Sequence, residues 1–189
     1  MWRTTTRAGA RLLGYWTGRA AASLGLVGRV DPVDLQAVLA GTDPRDADRA
    51  PLGRFKSGRS RPGFDLTFRA PKSVSLLWVL SDDDMSAIVR DAHDAAVAAA
   101  LDYLENAAGW SRRGAGGREP VAGTGFVAAA FRHRASRAGD PLLHTHVLVA
   151  NLSQARDDRR WRTLDARRPG SCSMSAGAIT PARCPAPAS

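Results

Sequence analysis

Lysine is scarce. Of 27 basic residues only Lys56 and Lys72 are lysines, so arginine carries nearly all of a formal charge of +9. The arginine fork of N–H donors pairs with phosphate and stacks on bases as an ammonium does not, which makes nucleic acid a reasonable partner, with a generic arginine-rich soluble protein as the alternative on composition alone. Long apolar runs are missing too. The longest, 95–101, has seven residues, against the roughly 20 a spanning helix needs, so no membrane span is expected. Cysteine is confined to Cys172 and Cys184. Neither has metal-site spacing, and a cytoplasmic chain with incidental thiols is expected. Tyrosine occurs twice, at Tyr15 and Tyr103.

What is present is unevenly placed. Net charge runs +5 over 1–30, −3 over 31–50, +5 over 51–72, −6 over 73–111, +4 over 112–140 and +4 over 141–189. This alternation suits a basic surface assembled from separate segments around one acidic element. With 189 residues, 44% of them apolar, the chain is long enough for one domain with a core.

Asp31-Pro32 followed by Val33, Leu35, Val38 and Leu39 predicts a short helix capped by Asp31 and ended by Gly41. Residues 42–62 read as a mobile loop. Phe64, Leu66 and Phe68 alternate with Asp65, Thr67 and Arg69, the pattern of a strand with Asp65 turned away from the buried face. The cluster 74–80 fits a buried strand or a helix opened by Pro71. Ser81, with Asp84 three residues on, predicts the cap of a long alanine-rich helix ending at Gly109. Residues 111–120 read as a basic glycine-rich loop, 125–134 and 144–152 as strands, and 161–164 as an edge strand. The stretch after Arg167 offers nothing to pack.

Three of the four histidines fall close together, at His133, His144 and His146. Side chains two apart on a strand share a face, so His144 and His146 form a ligand pair, and an antiparallel neighbour can bring His133 to them. Three imidazoles on paired strands would leave open positions on a catalytic metal. Three unrelated histidines satisfied by hydrogen bonds are the alternative. His93, alone on the long helix, is expected to be structural or exposed. Arg132, Arg134, Arg137 and Lys72 surround the cluster in sequence and are candidate phosphate contacts.

The segments Gly63-Phe64-Asp65-Leu66-Thr67-Phe68-Arg69-Ala70-Pro71-Lys72-Ser73-Val74-Ser75, Phe131-Arg132-His133 and Asp140-Pro141-Leu142-Leu143-His144-Thr145-His146-Val147 closely resemble the conjugative relaxases of the TrwC/TraI (MobF) type. Residues 16–30, 92–97 and 161–164 follow the same pattern, so the resemblance covers roughly 16–167. It implies an α+β HUH-endonuclease fold, an antiparallel sheet with helices on one side and a three-histidine site on the other. It also implies metal-dependent nicking of single-stranded DNA at a transfer origin, through a 5′-phosphotyrosyl link, alongside other relaxosome proteins. By the same resemblance His133, His144 and His146 hold Mg²⁺ or Mn²⁺, and Asp65 orients a ligand histidine or accepts a proton from the tyrosine.

The chain departs from that pattern at both ends. Family tyrosines lie close to the N-terminus, and residues 1–14 contain none. Tyr15 comes later and is a poor substitute nucleophile, because covalent catalysis tolerates little misplacement. The expected division is a divergent segment at 1–15, a partial relaxase domain at 16–167 and a disordered, unrelated tail at 168–189, an incomplete domain truncated at both ends with impaired nicking. A single-stranded DNA and metal-binding module that does not cut, or the inactive product of a pseudogene, are the other classes that fit.

Overall fold

The computed structural model describes residues 14–53 and 61–165. Residues 1–13, 54–60 and 166–189, and with them both cysteines and the expected tail, lie outside the described residues. In chain order the elements are β1 (Gly14–Thr17), a 3-10 turn (Ala21–Leu24), α1 (Pro32–Ala40), β2 (Gly63–Arg69), α2 (Lys72–Leu80), α3 (Asp83–Ala108), β3 (Trp110–Arg113), β4 (Glu119–Ala122), β5 (Ala128–Ala135), β6 (Pro141–Ala150), β7 (Ser153–Gln154) and β8 (Trp161–Arg162). Four strands form one antiparallel sheet in the order β1-β5-β6-β2.

Helix α3 presents Val89, His93, Val97, Leu101, Leu104 and Ala108 at three- and four-residue spacing, the stripe an amphipathic helix buries. Val97, Leu101 and Leu104 pack on Leu66, Ala128, Ala130, Val147 and Val149 of the sheet. Helix α2 docks beside it through Ser75, which is fully buried and whose Oγ accepts the Leu143 N–H at 3.1 Å. The opposite face of the sheet carries a second cluster at one end, where Trp16, Val127 and Ala129 meet Leu24 and the α1 residue Val38. Strand β5 thus separates two cores with alanines, Ala128, Ala129 and Ala130, all essentially without exposure.

Several expectations from sequence are met. Asp31 caps α1 by accepting the Val33 N–H at 2.7 Å, and Gly41 ends it in the left-handed conformation. The 74–80 cluster is helical, as part of α2. Asp65 faces away from Phe64 and Phe68, which pack on the α3 side.

Other expectations are corrected. The α3 cap is Asp82, whose carboxylate accepts the Met85 N–H at 2.9 Å; Ser81 already terminates α2 by donating its N–H to the Leu77 carbonyl. Residues 111–120 are not an open loop, because β3 and β4 pair around the glycine turn and Arg113 stands opposite Glu119. Strand β6 begins at Pro141, the first position of a strand being one that tolerates a missing N–H. Only Trp161–Arg162 of 161–164 is strand, and it pairs with Ser153–Gln154 outside the main sheet. The described part of 42–62 is a hydrogen-bonded turn, with Asp43 N–H on the Ala50 carbonyl at 2.9 Å.

Candidate metal centre

Strand register assembles the site. His133 and His144 are direct cross-strand partners on β5 and β6, and His146 lies opposite Phe131 two rungs away. Alternation turns all three to the face that α2 and α3 leave open. A register shift follows between His133 and Ala135, a device that re-aims side chains beside sites. The ring centres are 4.9 Å apart for His133 and His144, 4.9 Å for His133 and His146, and 5.2 Å for His144 and His146.

Two of the three imidazoles are held through Nδ1. His146 donates Nδ1–H to the Asp65 carboxylate, at 2.8 Å from Oδ1 and 3.0 Å from Oδ2, with the Thr67 hydroxyl 3.3 Å from the same nitrogen. His144 donates Nδ1–H to the Leu142 carbonyl at 3.0 Å. With Nδ1 protonated, Nε2 keeps its lone pair for a ligand bond. Burial holds the His133 and His144 imidazoles below the usual histidine range, and the neighbouring rings add to the effect. Both are therefore neutral near pH 7, as a metal ligand must be.

Two imidazoles bound to one ion at about 2.1 Å place their centres roughly 4.5–5.5 Å apart at coordination angles of about 90–110°. The observed spacing falls in that range. As the side chains stand, no three of the described His, Cys, Asp and Glu groups are disposed to hold an ion. The ladder already sets which residues stand side by side, so closing the set calls for ring rotation with the strand register kept.

The sheet does not bring all the candidate residues together. Lys72 and Arg137 are exposed, with Lys72 Nζ on the Pro141 carbonyl at 3.2 Å, where the β5–β6 turn approaches α2. Arg132 alternates to the helix face and pairs with Asp94 of α3 at 2.7 Å. Arg134 also lies on that side, its guanidinium 5.5 Å from the centre of the Trp78 ring, a cation–π contact. Tyr15 packs into the α3-side core, and burial, then the Asp94 carboxylate, push its phenol pKa up. It stands across the sheet from the histidines. His93 is buried, with Nε2 3.0 Å from the Thr145 hydroxyl.

Two further residues reach the histidine face. Thr67 stands opposite His146, and Arg69 opposite His144 on the same side as Asp65; the Arg69 charge helps to keep His144 neutral. The alternation that placed Asp65 places them too.

The family model described as TrwC relaxase matches residues 6–184. The chain belongs to the TrwC relaxase family. The multifunctional conjugation protein TraI of Escherichia coli is 40% identical over 162 residues, 85% of this chain and 9% of the relative. TraI of strain K12 is 41% identical over 157 residues, 82% of this chain and 8% of the relative. Among solved structures, the metal-bound conjugative relaxase TrwC in complex with oriT DNA has a TM-score of 0.68 at 37% identity, covering 80% of this chain and 51% of that one. TrwC complexed with a 27-mer DNA comprising the recognition hairpin and the cleavage site has a TM-score of 0.66 at 36% identity, covering 80% and 52%. The chain thus spans less than a tenth of the curated relatives and about half of the solved chains. Its α+β architecture, an antiparallel sheet with α2 and α3 on one side, is the HUH-type fold of the TrwC relaxases.

Proposed function

We propose that this chain holds single-stranded DNA of a transfer origin against the histidine face, in the cytoplasm and alongside other relaxosome proteins, with Mg²⁺ or Mn²⁺ bound by His133, His144 and His146. The observation that carries this is the triangle of three imidazoles with Asp65 on the Nδ1 of His146. That TrwC has been solved with oriT DNA and in metal-bound form supports it. When bound, the ion draws electron density from a phosphoryl oxygen. Asp65 fixes the tautomer and ring plane of His146. Arg69, exposed beside His144, is placed to meet a phosphate, and Lys72 and Arg137 to meet the flanking strand.

The family reaction joins a tyrosine to the 5′ phosphate and frees a 3′ hydroxyl. In this chain we propose that it is impaired, because the Tyr15 phenol lies on the helix side of the sheet. The same placement favours a second reading, a module that grips the strand and metal without cutting.

Incubation with an oriT single strand, with and without Mn²⁺, tests both. Retention of the strand that is lost with EDTA, without a covalent adduct, is expected. Absence of binding at low salt sinks the proposal, and efficient adduct formation sinks the claim of impairment.

A further inference from the structure

The rung between the histidine rungs points the other way. Arg132 and Thr145 are cross-strand partners, with His133 and His144 on the next rung and Phe131 and His146 on the one before. Two successive residues of α3 take hold of this rung from behind the sheet. His93 meets the Thr145 hydroxyl at 3.0 Å, and Asp94 accepts from Arg132 at 2.7 Å. Thr145 is fully buried and His93 nearly so. Asp94 has its second carboxylate oxygen buried without a partner among the described residues, so its hold on Arg132 is made at the cost of one unsatisfied acceptor.

We propose that His93 and Asp94 are positioning residues for the metal centre, fixing the height and tilt of the Arg132–Thr145 rung and, through it, the convergence of His133, His144 and His146. The inference rests on the proposed function, since it concerns the same three ligands. Backbone hydrogen bonds alone set which residues face each other across the ladder, not how far one rung of a twisted sheet rises toward a face. Two short side-chain contacts from one helix turn set that height on both strands at once. A core contact elsewhere on α3, such as Val97 on the sheet, stabilises the helix without bearing on this rung.

The test compares variants by Mn²⁺ affinity in calorimetry and by melting temperature. Asp94→Ala and Thr145→Val are expected to bind Mn²⁺ about tenfold more weakly than the unaltered chain, the lower end of what supporting groups around a metal site contribute. Thr145→Ser, which keeps the hydroxyl, is expected to restore affinity. Val97→Ala is expected to lower the melting temperature and leave affinity unchanged, which separates positioning from general stability. If Asp94→Ala and Thr145→Val melt earlier but bind Mn²⁺ as the unaltered chain does, the positioning role is overturned while the metal site stands. If the unaltered chain binds no Mn²⁺, the proposed function fails and the inference with it. Should Asp94→Ala fail to fold, the Thr145→Val and Thr145→Ser pair decides alone.

Discussion

The Asp65 carboxylate accepts the Nδ1–H of His146 through both oxygens, at 2.8 and 3.0 Å, across the β2–β6 ladder. The two are not direct partners, since Asp65 stands opposite Leu148 and His146 opposite Thr67. The contact is therefore a diagonal one, which only a side chain of suitable length makes. Replacing Asp65 by alanine removes the acceptor that fixes the ring. Mn²⁺ affinity is expected to fall roughly 10- to 100-fold, with the far-ultraviolet circular dichroism unchanged. Calorimetry checks this, and equal affinity would uncouple the carboxylate from the site.

Acid should weaken the metal-free fold earlier than its carboxylates require. Burial holds His93, His133 and His144 below their ordinary range. In the unfolded chain these groups titrate near 6.5, so between that value and their folded pKa the unfolded state binds more protons, and stability rises with pH. The contribution is complete above about pH 6.5 and is lost as pH falls. Melting temperature in EDTA is expected to be level from pH 8 to 7 and to drop from pH 6.5 to 5. A level profile down to pH 5 contradicts it.

Glu105 is a buried junction. Its carboxylate accepts the backbone N–H of Arg19 at 2.7 Å, the Arg19 Nε–H at 2.8 Å and the Phe126 N–H at 2.7 Å. It thereby ties α3 to both ends of the connection between β1 and β5. The Arg19 side chain is partly exposed, so the loss falls on the buried Phe126 N–H left without its acceptor; such an orphaned group costs about 1–3 kcal/mol, and Glu105→Ala is expected to lose that much in urea denaturation. A loss under 1 kcal/mol would show that water replaces the carboxylate.

Arginines on the two faces should respond differently to salt. Arg137 is exposed on the β5–β6 turn, and its replacement by alanine is expected to reduce the salt slope of single-strand binding by about one. Arg132 is committed to Asp94, so Arg132→Ala is expected to leave the slope unaltered. Titrations at several salt concentrations decide; equal slopes for all three proteins remove Arg137 from the DNA face.

The site was largely legible from one periodicity and one short connection. Two-residue alternation put His144 with His146, and Asp65 with Thr67 and Arg69, and the short return between His133 and His144 implied antiparallel pairing. What alternation also implied for Arg132 and Arg134 is easily overlooked: proximity in sequence to His133 places them on the wrong face. The sequence alone does not separate Ser81 from Asp82 as the cap of α3, because both are good caps and only the end of α2 shows that Ser81 is already engaged. Glu105 was not legible at all. A glutamate on a long acidic helix looks solvated, and its burial depends on backbone donors 21 and 86 residues away.

The tyrosine question is one of parity. On β1, Gly14 and Trp16 face the histidine side, and Tyr15 faces the helices. A one-residue slip would exchange the faces, but it would also bring Trp16 out of its cluster. Nor can a new aromatic ring be introduced at Gly14, where even a Cβ would collide with the ring of Phe131. No single replacement on this strand delivers a phenol to the metal face without evicting Phe131 or Trp16. Under the proposed reading, a nucleophile for the histidine site would come from outside β1 rather than from a substitution within it.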